Sequence, residues 1–407
     1  PSVKGECIQE AYEALKTFNY PTIENNNNDI HKLIREGVKV TYNDKSGEEV
    51  GDIVNVFDYN NPENNSFIVC NQVTVKGLHT PRIPDIVVYI NGLPIGLFEL
   101  KNPLDENATI EGAYRQINLY KKDIPDIFYY NEICVVSDST EAKAGTLTAN
   151  FERYSAWKSI DTGNIEKEKT ALEVLIKGMF DKERLLDIIR NFITFEDGSA
   201  VVKNKKKKKR IVSDKKEKKK IIVKKMAMYH QYYGVSDAIR ETLRAAGENG
   251  DRKIGTYWHT QGSGKSLSMV FYTGKVIREK ELNNPTIIVI TDRNDLDDQL
   301  YETFCNASDL IPYPVQADSV EDLKEKIHIL AAGGIIFTTI QKFQTDKENI
   351  EGLDVNKKMK RVITRGSEYP LLSDRSNIIV MCDEAHRSNY DFLDGFAKNI
   401  RQGLPNA

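Results

Sequence analysis

The segment Trp-His-Thr-Gln-Gly-Ser-Gly-Lys-Ser, residues 258–266, has the residue types of a phosphate-binding loop. Backbone N–H groups around Gly262 and Gly264 can point at phosphate oxygens, and Lys265 can reach the β- and γ-phosphates of a nucleotide. The Ser266 hydroxyl can hold a Mg²⁺ ion. We therefore expect nucleotide binding by these residues: Thr260, Gln261, Gly262, Ser263, Gly264, Lys265 and Ser266.

The chain around this loop has the pattern that a P-loop requires. Residues 253–258 predict a short strand and residues 265–279 predict an amphipathic helix, so the loop would join a strand to a helix. His259 stands where the strict pattern has its first glycine, which leaves an ordinary turn before a surface helix as the alternative.

A second motif is an apolar run that ends in two acids, residues 378–384. A buried parallel strand has this continuous apolar pattern, and ligands of open α/β sheets bind at the carboxyl ends of such strands. Asp383 would support Mg²⁺, and Glu384 would position or deprotonate the attacking water. A polar strand end with a helix-capping acid is the alternative. Together the two motifs predict a nucleotide-hydrolysing motor.

Three further charged residues lie on a predicted β-hairpin. Two apolar stretches flank an Asn-Gly turn, and if the turn centres near Gly92, residues whose numbers sum to about 184 face each other. That register puts Asp85 across from Glu99, and Lys101 shares a face with Glu99. Two carboxylates with room for water form a Mg²⁺ site, and a lysine can activate the attacking water. A solvent-facing Glu/Lys pair on an edge strand is the alternative.

This pattern of an acid after proline, followed by acid-x-lysine, resembles that of the metal-dependent PD-(D/E)xK nucleases. In the next predicted helix, Gln116 and Tyr120 share one face and are similar to the Gln-x-x-x-Tyr motif of the RecB-like branch of those nucleases. The resemblance implies that both residues act at the cutting site. It also implies an acidic N-terminal helix that completes the metal site, for which Glu6 and Glu10 are the candidates.

Length and composition indicate more than one domain. A chain of 407 residues exceeds the size at which a single core stops growing. No apolar run reaches membrane-spanning length, so we expect no membrane partner. The cysteines show no metal-ligand spacing and predict reduced thiols in a cytoplasmic protein. They are Cys7, Cys70, Cys134, Cys305 and Cys382.

A strongly basic segment lies between the predicted hairpin site and the predicted phosphate-binding loop. Residues 203–225 carry fourteen Lys or Arg against Asp214 and Glu217, a net of +12, although the whole chain has a net charge of −3. This run would either neutralise DNA phosphates or form a solvated hairpin or disordered linker.

The remaining patterns predict the elements that carry these sites. We expect a helix over residues 7–17, a polar turn at 25–28, strands at 38–42, 51–57, 67–75 and 133–138, and helices over 168–195.

Residues outside the two motor motifs resemble further motifs of superfamily 2 helicases. The resemblance implies that Gln231 reads adenine through its two-faced amide. Two more strands, residues 286–293 and 334–343, are similar to the helicase motifs that grip the sugar-phosphate backbone. The residues concerned would be Arg293, Thr338 and Gln341.

The order of all these motifs resembles that of the restriction (R) subunit of type I restriction-modification enzymes. The resemblance implies an α/β fold with three parts. These are a PD-(D/E)xK endonuclease domain with a mixed sheet and flanking helices over residues 1–200, a basic linker or hairpin over 201–225, and a first RecA-like parallel-sheet P-loop domain over 226–407.

The same resemblance implies how the protein acts. ATP and Mg²⁺ would be its cofactors, and its partners would be double-stranded DNA and the methyltransferase and specificity subunits. The subunit would translocate DNA and cut it away from the recognition site. A stand-alone helicase-nuclease of DNA repair and a nucleotide-gated DNA-binding module with an inactive nuclease are the alternatives. No second RecA-like domain follows, so we expect a piece of a longer protein and negligible ATP hydrolysis by this piece.

Overall fold

A computed structural model of the chain shows two compact units, Pro1–Gly234 and Val235–Ala407. Each unit combines helices with a β-sheet, which confirms the predicted α/β class. The structure describes residues 5–44, 46–77, 80–102, 109–138, 140–161, 164–197, 222–291, 294–330, 332–343, 369–384 and 396–407.

The first unit contains five helices and nine strands within these residues. The helices are α1 (Gly5–Leu15), α2 (Ile23–Glu36), α3 (Ile110–Asp123), α4 (Ala171–Met179) and α5 (Lys182–Asn191). The strands are β1 (Val38–Asn43), β2 (Glu49–Val54), β3 (Phe67–Asn71), β4 (Ile86–Ile90), β5 (Leu93–Leu100), β6 (Ile133–Ser137), β7 (Ala142–Gly145), β8 (Ile193–Asp197) and β9 (Ile222–Met226).

The main sheet of this unit is mixed, with strand order β3-β4-β5-β6-β7. Only β5 and β6 run parallel, and α3 makes the connection between them. The core between α3 and the sheet buries Ile117 and Tyr120 of the helix against Val87, Leu97 and Val136 of the strands. The helix that carries Gln116 and Tyr120 is therefore fixed over the strand that carries Glu99.

The β4–β5 hairpin confirms the predicted turn and register. Asn91 and Gly92 have φ angles of 50° and 83°, the left-handed pair that a two-residue hairpin turn requires. Ile86 pairs with Phe98 and Val88 pairs with Gly96, so their numbers sum to 184 as predicted. The register shifts beyond Val88, next to the turn.

The predicted polar turn at residues 25–28 is wrong, because these asparagines lie inside α2. Thr22 caps this helix by accepting a hydrogen bond from the backbone N–H of Asn25. The Asn26 side chain bonds the backbone of Tyr20, and the Asn27 amide donates to the carbonyl oxygens of Phe128 and Asn131. Tertiary partners thus stabilise asparagines that by themselves favour turns.

Other predicted elements of the first unit exist with shifted ends. The strands predicted at 51–57 and 67–75 end at Val54 and Asn71, and the helical stretch at 168–195 divides into α4, α5 and the start of β8.

Strand β9 belongs to the first unit, although its lysines fall in the basic run. It pairs antiparallel with β8. The Lys224 side chain is fully buried, and its ammonium lies 2.5 Å from Glu132 Oε2 and 3.0 Å from Asn27 Oδ1. Glu132 Oε2 also lies 3.0 Å from His31 Nδ1. Lys224 is therefore neither a DNA contact nor part of a solvated linker, which corrects both readings of the run at this position.

Threonine side chains also fix strand β9 through hydrogen bonds to its main chain. The Thr148 hydroxyl accepts a hydrogen bond from Lys224 N and donates one to Lys224 O, and Thr146 also donates to that carbonyl. The rest of the run, residues 203–221, lies outside the described residues.

The second unit contains a parallel sheet with strand order β11-β12-β10-β13. These strands are β10 (Thr286–Thr291), β11 (Val315–Gln316), β12 (Ile335–Thr339) and β13 (Ile378–Cys382). The helices are α6 (Tyr229–Ala246), which begins in the first unit, α7 (Lys265–Arg278), α8 (Asn294–Asn306), α9 (Val320–Ile329) and α10 (Phe396–Gly403).

The strand predicted at residues 253–258 does not form, although the helix predicted after the loop does. Gly255 has a φ of 125°, which lies outside the strand region and interrupts the extended backbone. Trp258 is 80% exposed.

In the part of the chain that the structure describes, no helix is long and apolar enough to cross a bilayer.

Candidate active sites

The end of the β4–β5 hairpin brings the predicted acids together. Asp85 precedes β4, and its Oδ2 accepts a 2.7 Å hydrogen bond from the backbone N–H of Leu100. This bond holds the Asp85 carboxylate against the end of β5, next to Glu99. The Glu99 residue is only 1% exposed.

Four side chains form a closed ring of hydrogen bonds beside Asp85. The Lys101 ammonium donates to Glu99 Oε1 at 2.8 Å and to Gln116 Oε1 at 2.7 Å. The Gln116 amide donates to the Tyr120 hydroxyl at 2.6 Å, and that hydroxyl donates to Glu99 Oε2 at 3.0 Å. The strand end and one face of α3 therefore fix the lysine and the carboxylate relative to each other.

Burial and charge shift the titration of this ring. Burial raises the pKa of Glu99, and the nearby Asp85 raises it further, while the Lys101 ammonium opposes the shift. Burial and the Glu99 carboxylate also raise the pKa of Tyr120, so its hydroxyl stays protonated and donates. The site thus holds an excess of negative charge that a cation would relieve.

The donor set fits a hard cation in part. Asp85 and Glu99 supply carboxylate oxygens of the kind that Mg²⁺ prefers. Within the described ranges, no group of three or more His, Cys, Asp or Glu side chains could hold a metal ion. The structure thus does not group Glu6 or Glu10 with these two acids. Both candidates lie on exposed positions of α1, which packs through Cys7 and Ala11.

The loop before α7 has the conformation of a phosphate cradle. Gly262 and Gly264 have φ angles of 80° and 82°, which other residues rarely adopt. An added Cβ at Gly262 would meet nothing within 4 Å, so the space beside the loop is open. Helix α7 begins at Lys265, directly after Gly264, and its free N–H groups and dipole favour an anion there.

The end of β13 brings the second acidic motif to the same loop. The backbone N–H of Asp383 donates to Ile290 O at 2.9 Å and extends the pairing with β10. Burial raises the pKa of Asp383, and the Lys265 ammonium is close enough to oppose that shift. Glu384 follows in the left-handed region with a φ of 48°. Lys265 of the loop therefore lies within electrostatic reach of Asp383 at the strand end.

The structure does not test the roles predicted for three other residues. Gln231 is buried in the first unit, where its Oε1 accepts from Met228 N at 2.9 Å. Thr338 is buried, and its hydroxyl has no hydrogen-bond partner among the described residues. Arg293 lies outside the described residues. The roles of these three residues stay predictions.

The sequence analysis missed a cluster of three buried polar residues and one further buried hydroxyl. His31, Glu132 and Lys224 are separated by about a hundred positions, so no local pattern could have joined them. Thr291 is buried at the end of β10, and its hydroxyl has no hydrogen-bond partner among the described residues. The signal for Thr291 was a polar residue at the end of an apolar strand.

Two family models match the chain and together span most of it. Residues 4–153 match the N terminus of the type I restriction enzyme R protein. Residues 230–407 match the SWI2/SNF2 ATPase. The first match contains the hydrogen-bonded ring, and the second contains the phosphate cradle and the acids after β13.

Individual relatives extend over nearly all of the chain. The type I restriction enzyme HindI endonuclease subunit of Haemophilus influenzae is 41% identical over 399 residues, which are 94% of this chain and 34% of the relative. The putative type I restriction enzyme MjaIXP endonuclease subunit of Methanocaldococcus jannaschii is 34% identical over 100% of this chain and 36% of the relative. The chain thus spans about a third of the length of these relatives. It belongs to the family of R subunits of type I restriction enzymes.

Proposed function

We propose that this chain supplies the DNA-cutting site and the first half of an ATP-driven DNA motor in a type I restriction enzyme. The first unit would be a PD-(D/E)xK nuclease and the second a RecA-like motor domain. The closed ring of Glu99, Lys101, Gln116 and Tyr120 beside Asp85 carries the proposal, because two neighbouring acids and a fixed lysine are groups that metal-assisted phosphodiester hydrolysis can use.

Each residue of the cutting site has a separate task. Asp85 and Glu99 would hold Mg²⁺, which when bound neutralises phosphate charge and lowers the pKa of water. Lys101 would stabilise the charge that develops on the phosphate, since Glu99 and Gln116 hold its ammonium in place. Gln116 would also orient water or DNA, and Tyr120 would keep the Glu99 carboxylate in one orientation.

The motor site divides its tasks between the loop and the strand end. Residues of the loop would surround the phosphates, with Lys265 at the β- and γ-phosphates and Ser266 beside Mg²⁺. Asp383 would support that ion, and Glu384 would position the attacking water. The open space at Gly262 and the approach of Lys265 to Asp383 support this assignment.

The partners follow from the proposed role. Double-stranded DNA would be the substrate, and methyltransferase and specificity subunits would anchor the complex at its recognition site. The free cysteines support a cytoplasmic location. The names of the relatives favour a restriction enzyme over a stand-alone repair helicase-nuclease, and the complete ring argues against an inactive nuclease.

Replacing Lys265 by Ala tests the nucleotide site. The affinity of the chain for ATP in the presence of Mg²⁺ should fall at least about tenfold, because the charge that faces the phosphates is lost. Isothermal titration calorimetry measures this affinity directly. The matched control is Lys275→Ala, in the last turn of the same helix, which should bind ATP like the unchanged protein. Equal affinity in the Lys265 variant would rule out the proposed phosphate site.

Replacing the five lysines at 205–209 by Gln tests whether the basic run binds DNA. If each lysine neutralises one phosphate, the slope of log affinity against log salt should flatten by about four to five. DNA binding measured at several salt concentrations gives the slope. Replacing Lys224 would be a poor test, since its ammonium is buried against Glu132. An unchanged slope would assign the five lysines to a solvated segment.

A further inference from the structure

A buried hydroxyl at the end of β10 makes no hydrogen bond within the described residues that explains its presence. Thr291 is 2% exposed, and its Oγ1 has no hydrogen-bond partner within the described residues. Burial without a partner is unfavourable for a hydroxyl, and valine would fill nearly the same volume without that cost. Such a group calls for an explanation in function.

Strand pairing places this hydroxyl in the row of Asp383. Ile290 of β10 pairs with Cys382 of β13, and the backbone N–H of Asp383 donates to Ile290 O. The parallel ladder therefore continues one residue further, to Thr291 and Asp383. Residues in the same row of a sheet have their side chains on the same face, about 5 Å apart.

The surroundings of Asp383 show what the hydroxyl can bind. In the structure the Asp383 carboxylate accepts from the backbone N–H of Glu384, and the Lys265 ammonium lies within electrostatic reach. A carboxylate has about four acceptor positions, so these contacts leave room for a further donor. Thr291 is a neighbouring side chain whose O–H group has no partner among the described residues.

We propose that Thr291 is a positioning residue of the nucleotide site, whose hydroxyl donates a hydrogen bond to Asp383 when Mg²⁺ and ATP are bound. The inference rests on the proposed motor site and adds a residue to it. A bond to an ionised carboxylate is about twice as strong as one between neutral groups. It would fix the orientation of Asp383 and thereby strengthen the contribution of Mg²⁺ to nucleotide binding.

Three variants of the chain test this role. Thr291→Val removes the hydroxyl at nearly constant volume, and Thr291→Ser keeps it. The matched control is Thr273→Val on α7, because Thr273 is also fully buried and its hydroxyl also has no partner among the described residues. Calorimetry measures ATP affinity with Mg²⁺ and with EDTA, and thermal unfolding without ligand reports stability.

We expect Mg²⁺ to increase ATP affinity about tenfold less in Thr291→Val than in the unchanged protein, with recovery in Thr291→Ser. Affinity in EDTA should stay within about twofold, and the melting temperature without ligand should not fall, because the lost hydroxyl has no bond there. Thr273→Val should match the unchanged protein in ATP affinity with Mg²⁺ and with EDTA, and its melting temperature should not fall.

Two results would overturn the inference while the proposed motor site stands. In the first, Mg²⁺ increases the ATP affinity of Thr291→Val as much as that of the unchanged protein, while Lys265→Ala loses ATP affinity. This result would support the motor site but exclude Thr291 from it. The other is an equal loss of affinity in EDTA and with Mg²⁺, together with a lower melting temperature, which would make Thr291 a structural residue. Absence of ATP binding by the unchanged protein would overturn the motor site and this inference together.

Discussion

Replacing Glu99 by Gln is expected to reduce DNA cleavage at least about a thousandfold while the thermal stability of the chain stays the same or rises. Loss of one of the two proposed metal-binding carboxylates removes several kcal/mol of stabilisation from the transition state of cleavage. The fold should tolerate the change, because burial raises the pKa of Glu99 and an ionised carboxylate is therefore unfavourable there. A glutamine amide can still accept from Lys101 and donate to Tyr120.

Cleavage of circular duplex DNA by the reconstituted restriction complex measures this effect. Asp85→Asn should show the same loss, and ATP hydrolysis by the complex should persist in both variants. Glu173→Gln is the control, since Glu173 pairs with Lys177 at the surface of α4 and should not affect cleavage. Cleavage above about a tenth of normal in both Glu99→Gln and Asp85→Asn would refute the metal site.

Replacing Lys224 by Met is expected to lower the free energy of unfolding of the first unit by about 3–5 kcal/mol. The ammonium is buried against Glu132 and Asn27, so the change leaves a carboxylate buried without its compensating cation. His31 cannot replace that cation, because burial lowers its pKa and favours the neutral ring.

Denaturant unfolding followed by Trp fluorescence measures this loss. The two units need not unfold together, so the measurement is best made with Trp258→Phe, which leaves only Trp157 of the first unit as a reporter. Lys225→Met is the control. Lys225 pairs with Glu196 at the surface and should contribute about 1 kcal/mol or less. A Lys224→Met protein as stable as this control would show that the buried ion pair does not stabilise the unit.

Predictions from sequence succeeded where one local pattern decides the structure. The Asn-Gly turn fixes the register of the β4–β5 hairpin because both residues adopt positive φ, and the register then brings Asp85 to Glu99. The apolar runs before Thr291 and Cys382 form parallel strands for a similar reason, since β-branched residues in an unbroken run favour a buried strand.

Predictions from sequence failed where contacts between residues far apart in the chain determine the local structure. Asn27 looks like a turn residue, but carbonyl oxygens about a hundred positions away hold it inside a helix. Lys224 looks like one more solvated lysine, and only folding reveals Glu132 beside it. The strand expected at 253–258 did not form, and the short local sequence could not reveal the conformation of Gly255.

The buried Lys224 also determines how first units could be exchanged between members of the family. Its partner Glu132 lies 92 positions earlier, directly before β6 of the main sheet. A chimera that joins two parents between β8 and β9 would take the carboxylate from one parent and the ammonium from the other. Crossing over after Met226 keeps both groups, and the threonines that hold the strand, from one parent. Recombination within the basic run should therefore yield folded proteins only when both parents have compatible residues at these positions.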